Sequence, residues 1–313
     1  MSIVSMRNAN LLFLLLSAAM LAWKPNMVIV KNYHGLLPFL SVRYAGLASH
    51  ANVLAPMVVV FLLCLWNKPF AWRSLNLFAW AVGLASLLLA QSKTNWIACI
   101  LCFACIAYFG FREQIKQRLF DFRRPQLSII AIFCFILLCT LGVLVVMFGS
   151  LDAKLARFAS SSEGFELLSL TGRDLIWQVA VQEWHKNPMF GYGLLLWDEA
   201  FRASIGMPYA THAHSQFYQS LASAGTIGAV GLVLYSLVLL YASARTATAS
   251  SGMSMALFVL IASRSFSEVP LSLSGFAAEA LTHVLLLIII TANYPVADKQ
   301  AVRARKARIP GMA

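Results

Sequence analysis

Apolar residues in this chain come in long runs separated by short polar stretches. The runs do not alternate apolar with polar residues, as the strands of a membrane barrel would. A stretch of about 20 apolar residues almost free of charge is the pattern of a bilayer-crossing helix. A helix also satisfies its own backbone groups where no water can. Eight such runs lie near residues 9–23, 51–66, 74–90, 95–111, 127–149, 219–243, 253–267 and 275–292. The first has Arg7 ahead of it, as a signal peptide would. It is followed by Trp23-Lys24-Pro25 rather than a small-residue cleavage site, so it reads as a span. Several runs are short, which calls for tilt or snorkelling flanks. The expected fold is an all-α polytopic membrane protein of about eight transmembrane helices. Residues 1–313 form a single membrane domain, with one long outer loop, 150–218, carrying short helices.

Composition agrees. Charged residues make up 12% of the chain and hydrophobic residues 60%, whereas a soluble domain carries roughly 25% charged residues. The net charge of +12 becomes intelligible once the segments are sorted by side. With the N-terminus inside, the inner segments hold Arg7, Lys68, Arg73, Arg112, Lys116, Arg118, Arg123, Arg124, Arg245, Lys299, Arg303, Arg305, Lys306 and Arg308, fourteen of the 24 Lys and Arg. This is the positive-inside bias, together with attraction to anionic lipid. No basic face interleaved with aromatics appears, so nucleic acid is not an expected partner. Both termini are expected in the cytoplasm.

Cys64, Cys99, Cys102, Cys105, Cys134 and Cys139 all fall within predicted spans. Cys99-x-x-Cys102-x-x-Cys105 lacks the fourth cysteine and the proline of an iron–sulfur run, and it reads as small packing residues.

Polar residues unexplained by topology gather on the outer face, in 24–50, 91–95 and 150–218. Within the long loop, Thr171-Gly172-Arg173-Asp174 precedes an amphipathic stretch, 175–186, with Trp177 and Trp184 able to sit at the interface. Asn187-Pro188 ends it. Phe190-Gly191-Tyr192-Gly193 then supplies a turn with two permissive glycines. His212-Ala213-His214-Ser215 leads into the sixth run, with Gly225 and Gly228 near its outer end.

The ordered set Thr171-Gly172-Arg173, Trp177, Asn187-Pro188, Gly191-x-Gly193, His214-Ser215 and Gly225-x-x-Gly228 resembles the signature loop of the O-antigen ligase and polymerase superfamily. Within it, the exopolysaccharide polymerases are most similar. Arg43-Tyr44-Ala45-Gly46 with His50-Ala51-Asn52 resembles the family's Arg–Gly–Asn element. Ser92-Lys93-Thr94 resembles its short outer-loop motif, and Arg264-Ser265-Phe266-Ser267-Glu268 its Arg/Glu element. Fewer spans precede Arg43 than the family layout implies, so the chain is expected to be short at its N-terminus relative to that family. The resemblance implies a membrane glycosyltransferase of the bacterial inner membrane that uses no metal, nucleotide or other cofactor. Its donor would be an undecaprenyl diphosphate-linked glycan. Its acceptor would be a hydroxyl of a glycan or glycolipid, at the periplasmic face.

Such a site must hold a diphosphate, support its developing charge and orient the acceptor. Arg43, Lys93, Arg173 and Arg264 are outer-face cations from four segments that could gather around one anionic headgroup. Arg173 is placed at the reacting centre; Arg43, Lys93 and Arg264 are placed on the diphosphate. His214 is the candidate base, since a neutral imidazole can take the proton of the attacking hydroxyl. Glu268, His212 and Asn52 are supporting candidates.

Each has a plainer reading. Arg43 can hold a loop or touch headgroups, and Lys93 can snorkel. Arg173 can anchor its helix through Asp174, and Arg264 can pair with Glu268. His214 can be an ordinary hydrogen-bonded interface histidine, and Asn52 can cap the second span. His212, two residues from His214, is expected to point elsewhere. His212-x-His214 could begin a zinc site, but no third ligand has matching spacing. Gly191-Tyr192-Gly193 echoes a potassium filter, but Met189-Phe190 precede it and the many spans do not fit. Two other function classes fit a multi-pass chain: a polysaccharide or lipid transporter, which should show internal repeats, and a subunit that binds a glycolipid without reacting.

Overall fold

The computed structural model describes residues 2–31, 33, 41–119, 173–272 and 278–294. The run at 127–149, Cys134 and Cys139, the loop ahead of Arg173 and the basic tail from Lys299 lie outside them. The described part is mostly helical. Its elements are α1 (Ile3–Trp23), α2 (Pro25–Val28), β1 (Ile29–Lys31), β2 (Val42–Tyr44), α3 (Ala51–Asn67), α4 (Arg73–Leu89), α5 (Lys93–Leu119), α6 (Arg173–Lys186), α7 (Glu199–Ser204), α8 (Gln216–Thr246), α9 (Met253–Ser265) and α10 (Ala278–Asn293). Three stretches are long and apolar enough to cross a membrane: Ile3–Trp23, Lys93–Gly110 and Gln216–Thr246. α3, α4, α9 and α10 are shorter apolar helices, each on a predicted run.

The chain divides into two compact units. One draws on Met1–Ile106, Leu237–Leu260 and Ala277–Ala313, the other on Ala107–Ser236 and Ile261–Phe276. In the first, α3 packs against α1, α4 and α10 and is buried along nearly its whole length. Gly83 of α4 makes a close approach possible, because a Cβ there would lie 2.6 Å from Leu62 Cδ2. Trp66, Trp80 and Phe103 tie α3, α4 and α5 together, with ring centroids 5.9–6.4 Å apart. At the start of α1, Arg7 donates to the Lys68 carbonyl at 2.5 Å and lies over the Phe70 ring. The opposite end of α1 leads to the antiparallel pair β1–β2, in which Val30 faces Arg43. The polar stretches 24–50 and 91–95 meet there: Gln91 Nε2 donates to the Val42 carbonyl at 2.7 Å and Arg43 Nε to the Ala90 carbonyl at 2.9 Å.

The second unit has its own core of Ile176, Ala180, Leu196, Trp197, Ala210, Ala213 and Ala222. Its frame depends on a break in α8. Gly225 has φ 63° and ψ −163°, so α8 is two helices joined at a kink. Such a break orphans carbonyls before it and N–H groups after it. The turn that follows α6 satisfies both. The Tyr192 and Gly193 N–H groups donate to the Ala222 and Ser223 carbonyls at 3.3 and 2.7 Å, while the Thr226 and Ile227 N–H groups donate to the Pro188 and Met189 carbonyls at 2.8 and 3.4 Å. Asn187 Nδ2 closes the turn on the Gly191 carbonyl at 2.6 Å. The exchange needs bare backbone on both sides. A Cβ on Gly225 would sit 2.4 Å from the Met189 carbonyl, and one on Gly191 2.5 Å from the Ser223 carbonyl carbon.

Candidate functional site

The segment 210–215 feeds α8 and is strapped from three sides. Trp177 of α6 donates its indole N–H to the Ala213 carbonyl at 2.9 Å and stacks on Tyr218 at 5.0 Å. Gln219 Oε1 accepts the Ala213 N–H at 2.9 Å. His214 has φ 48°, a left-handed conformation unusual for a residue with a side chain. That turn, with a 3.1 Å bond from the His214 N–H to His212 Nδ1, brings the two rings to a centroid separation of 4.1 Å. The expectation that His212 would point elsewhere is therefore corrected: residues two apart in an extended segment share a face, and with the turn at residue 214 the two rings meet. Trp177 acts as an internal strap.

Both rings face Glu268, which follows the end of α9. Glu268 Oε2 lies 3.3 Å from His214 Nδ1 and 3.7 Å from His212 Nε2, and Oε1 lies 3.6 Å from Arg173 Nη2. The Glu268 N–H donates to the Arg264 carbonyl at 2.7 Å, and the nearby Leu271 N–H to Gln216 Oε1 at 2.9 Å. The second unit thus gathers Arg173, His212, His214, Arg264 and Glu268 from α6, the segment before α8, and the end of α9.

Electrostatics fix the proton positions. Burial alone would raise the Glu268 carboxyl, but the His214 hydrogen bond and charge, with Arg264 and His212, hold it down to about 2. An ionised carboxylate only accepts, so His214 donates to it through Nδ1–H, and the neutral ring then has its lone pair on Nε2. A quarter of the His214 side chain stays exposed, at 25%. Burial, then His214 and the two arginines, push His212 down to about 4 against the pull of Glu268. Burial also lowers Arg173, with Glu268 opposing and Arg264 adding to it. Arg173 contacts the carboxylate and the Arg264 charge also acts on it, so two fixed positive charges work on one negative charge.

His212, His214 and Glu268 offer ligand atoms that all lie within 4.8 Å of one another. Glu268 therefore supplies the third ligand that spacing alone did not offer. The hydrogen bonds oppose a cation there. His212 Nδ1 accepts a backbone N–H, so the proton of its neutral ring sits on Nε2, the atom facing Glu268. Two arginine charges act on the same carboxylate or beside it.

In the first unit, Arg43 is 8% exposed. Its Nη2 donates to Asn52 Oδ1 at 2.5 Å, its Nε bonds Ala90, and its guanidinium lies 4.8 Å from the Tyr33 ring centroid. Ser92 Oγ reaches the same Asn52 oxygen at 3.5 Å and accepts from Asn95 Nδ2 at 2.8 Å. The cap of α3 is His50, whose Nδ1 accepts the Asn52 N–H at 3.1 Å. This corrects the capping expectation for Asn52, whose side chain is engaged by Arg43. Lys93 opens α5, half-buried, and forms no ion pair among the described residues.

Sequence reasoning missed Gln216 and Gln219. Their signal is weak: two glutamines three residues apart in the first turn of an apolar helix. Among comparisons, the family model described as O-antigen ligase matches residues 77–233, half of the chain. The match takes in Lys93, Arg173, His212 and His214 and stops short of Arg264 and Glu268. No curated protein matches the chain.

Proposed function

Because the chain belongs to the O-antigen ligase family, we propose that it transfers a glycan from an undecaprenyl diphosphate-linked donor to an acceptor hydroxyl at the periplasmic face of the bacterial inner membrane. The observation that carries this reading is the pairing of a buried, ionised Glu268 with Nδ1 of His214 beside Arg173 and Arg264. His214 Nε2 takes the proton of the acceptor hydroxyl as its oxygen attacks the anomeric carbon. The bond from that carbon to the phosphate oxygen breaks, and undecaprenyl diphosphate leaves as an anion held by Arg173 and Arg264. Base assistance of this kind is worth about 10²–10⁴-fold. Glu268 and His212 hold the His214 ring in place.

In the same reading residues 1–313 form one membrane domain of about eight spans, 150–218 is the periplasmic loop, and both termini are cytoplasmic. Neither a metal nor another cofactor is required, in keeping with the proton on His212 Nε2. The acceptor is a second lipid-linked glycan, as in a polymerase, or a glycolipid, as in a ligase. Protein reconstituted in lipid with synthetic undecaprenyl diphosphate-linked repeat units tests this. Longer lipid-linked glycan and released undecaprenyl diphosphate are expected. Movement of intact donor across the bilayer without transfer would instead establish a transporter, and donor binding without either would establish a binding subunit.

A further inference from the structure

The turn that repairs the α8 break carries side chains the site does not use. Met189, Phe190, Tyr192, Leu194 and Leu195 are exposed, the two leucines above 80% and Phe190 at 71%. Five large apolar or aromatic side chains within seven residues form an unusual surface for a water-facing loop. The backbone of this turn is bonded to the first turn of α8 beyond Gly225, through Pro188–Thr226 and Met189–Ile227. From that point α8 shows a run of exposed apolar residues, Ile227, Val230, Val233 and Leu234, within the stretch that is long and apolar enough to cross a membrane. The exposed side chains of the turn and those of α8 therefore begin at the same level. Trp184 is half-buried there, its indole N–H shared between the Pro188 carbonyl at 3.2 Å and Thr226 Oγ1 at 3.1 Å. An amphipathic ring with its polar atom satisfied suits a membrane interface. The flanking groups are polar: His185 and Lys186 on one side, Asp198, Glu199 and Arg202 on the other.

We propose that the turn 189–195 is embedded in the apolar edge of the outer leaflet, with bilayer lipid as its partner. Continuity with the lipid-facing side of α8 selects lipid over a second copy of the chain. The anchor also sets a height. Nine helical residues separate Gln216 from Gly225, about 13 Å of rise, so the His214 cluster stands at a fixed distance from the bilayer's apolar edge.

The test uses the full chain in phosphatidylethanolamine–phosphatidylglycerol vesicles that contain a lipid with a photoactivatable group near the end of its acyl chain. Peptide mapping after irradiation should place adducts on 189–195 at a yield similar to that on 227–234 of α8. Leu194→Glu with Leu195→Glu should lower the yield on the turn by about tenfold while leaving the α8 yield in place. Labelled α8 with an unlabelled turn would overturn the proposal. So would cross-links joining the turn to another copy of the chain. The yield on α8 serves as the internal standard, so the result does not depend on the transfer reaction.

Discussion

His214 donates its backbone N–H to Nδ1 of His212 at 3.1 Å, and this bond decides which His212 nitrogen holds the proton. With Nδ1 accepting, a neutral His212 presents Nε2–H to Glu268. Protonating His212 breaks the backbone bond and adds charge beside two arginines. Its folded pKa, about 4, lies below the ordinary 6.5. Between those values the unfolded chain binds more protons, so stability is full above pH 6.5 and declines as pH falls toward 4. Glu268 adds a second decline, starting near its ordinary 4.5 and continuing to about 2. Unfolding followed from pH 7.5 to 4.5 should show the first decline in the wild type. His212→Gln should flatten it.

Glu268→Gln removes the charge that holds His214 in one tautomer and leaves the shape of the site. Turnover should fall by about 10–100-fold. Donor affinity should hold or rise, because the arginines lose an internal partner. Parallel measurement of turnover and donor binding separates this from a folding defect, which would lower both.

Gly225 is the position least able to accept a side chain. Gly225→Ala combines positive φ with a Cβ 2.4 Å from the Met189 carbonyl, and a loss of more than about 2 kcal/mol is expected. Gly231 in the same helix meets nothing within 4 Å, so Gly231→Ala should be neutral or stabilising by up to about 1 kcal/mol. Thermal unfolding of the two variants in one detergent provides the comparison.

Arg43→Met should act mainly on stability. It removes the side-chain donor to the buried Ala90 carbonyl and one donor to Asn52 Oδ1, at a cost of about 1–3 kcal/mol. Arg173→Ala should instead weaken donor binding by about 10–100-fold with a smaller change in unfolding.

Helices were legible because bilayer-length apolar runs are long-range patterns that short-range detail barely alters. Seven of the eight predicted runs fall on described helices. The break in α8 was not legible in that way. Gly225 and Gly228 mark a special backbone, but the partners of the orphaned groups lie at 188–193, 30 or more residues earlier. His212 belongs with His214 even by simple alternation, since residues two apart in an extended segment share a face, so this part of the cluster is legible in the sequence. Glu268 stood 54 residues from His214, too far for spacing to suggest a pair. Asn52 was the expected cap of α3, but Arg43 engages its side-chain amide and His50 forms the cap.

The most direct test of the account is the rate of glycan transfer by the reconstituted protein, wild type against His214→Ala, with donor binding measured on the same preparations. The account predicts a rate lower by about 10²–10⁴-fold in the variant with donor affinity within a few-fold of the wild type. Transfer at the wild-type rate by His214→Ala would contradict it.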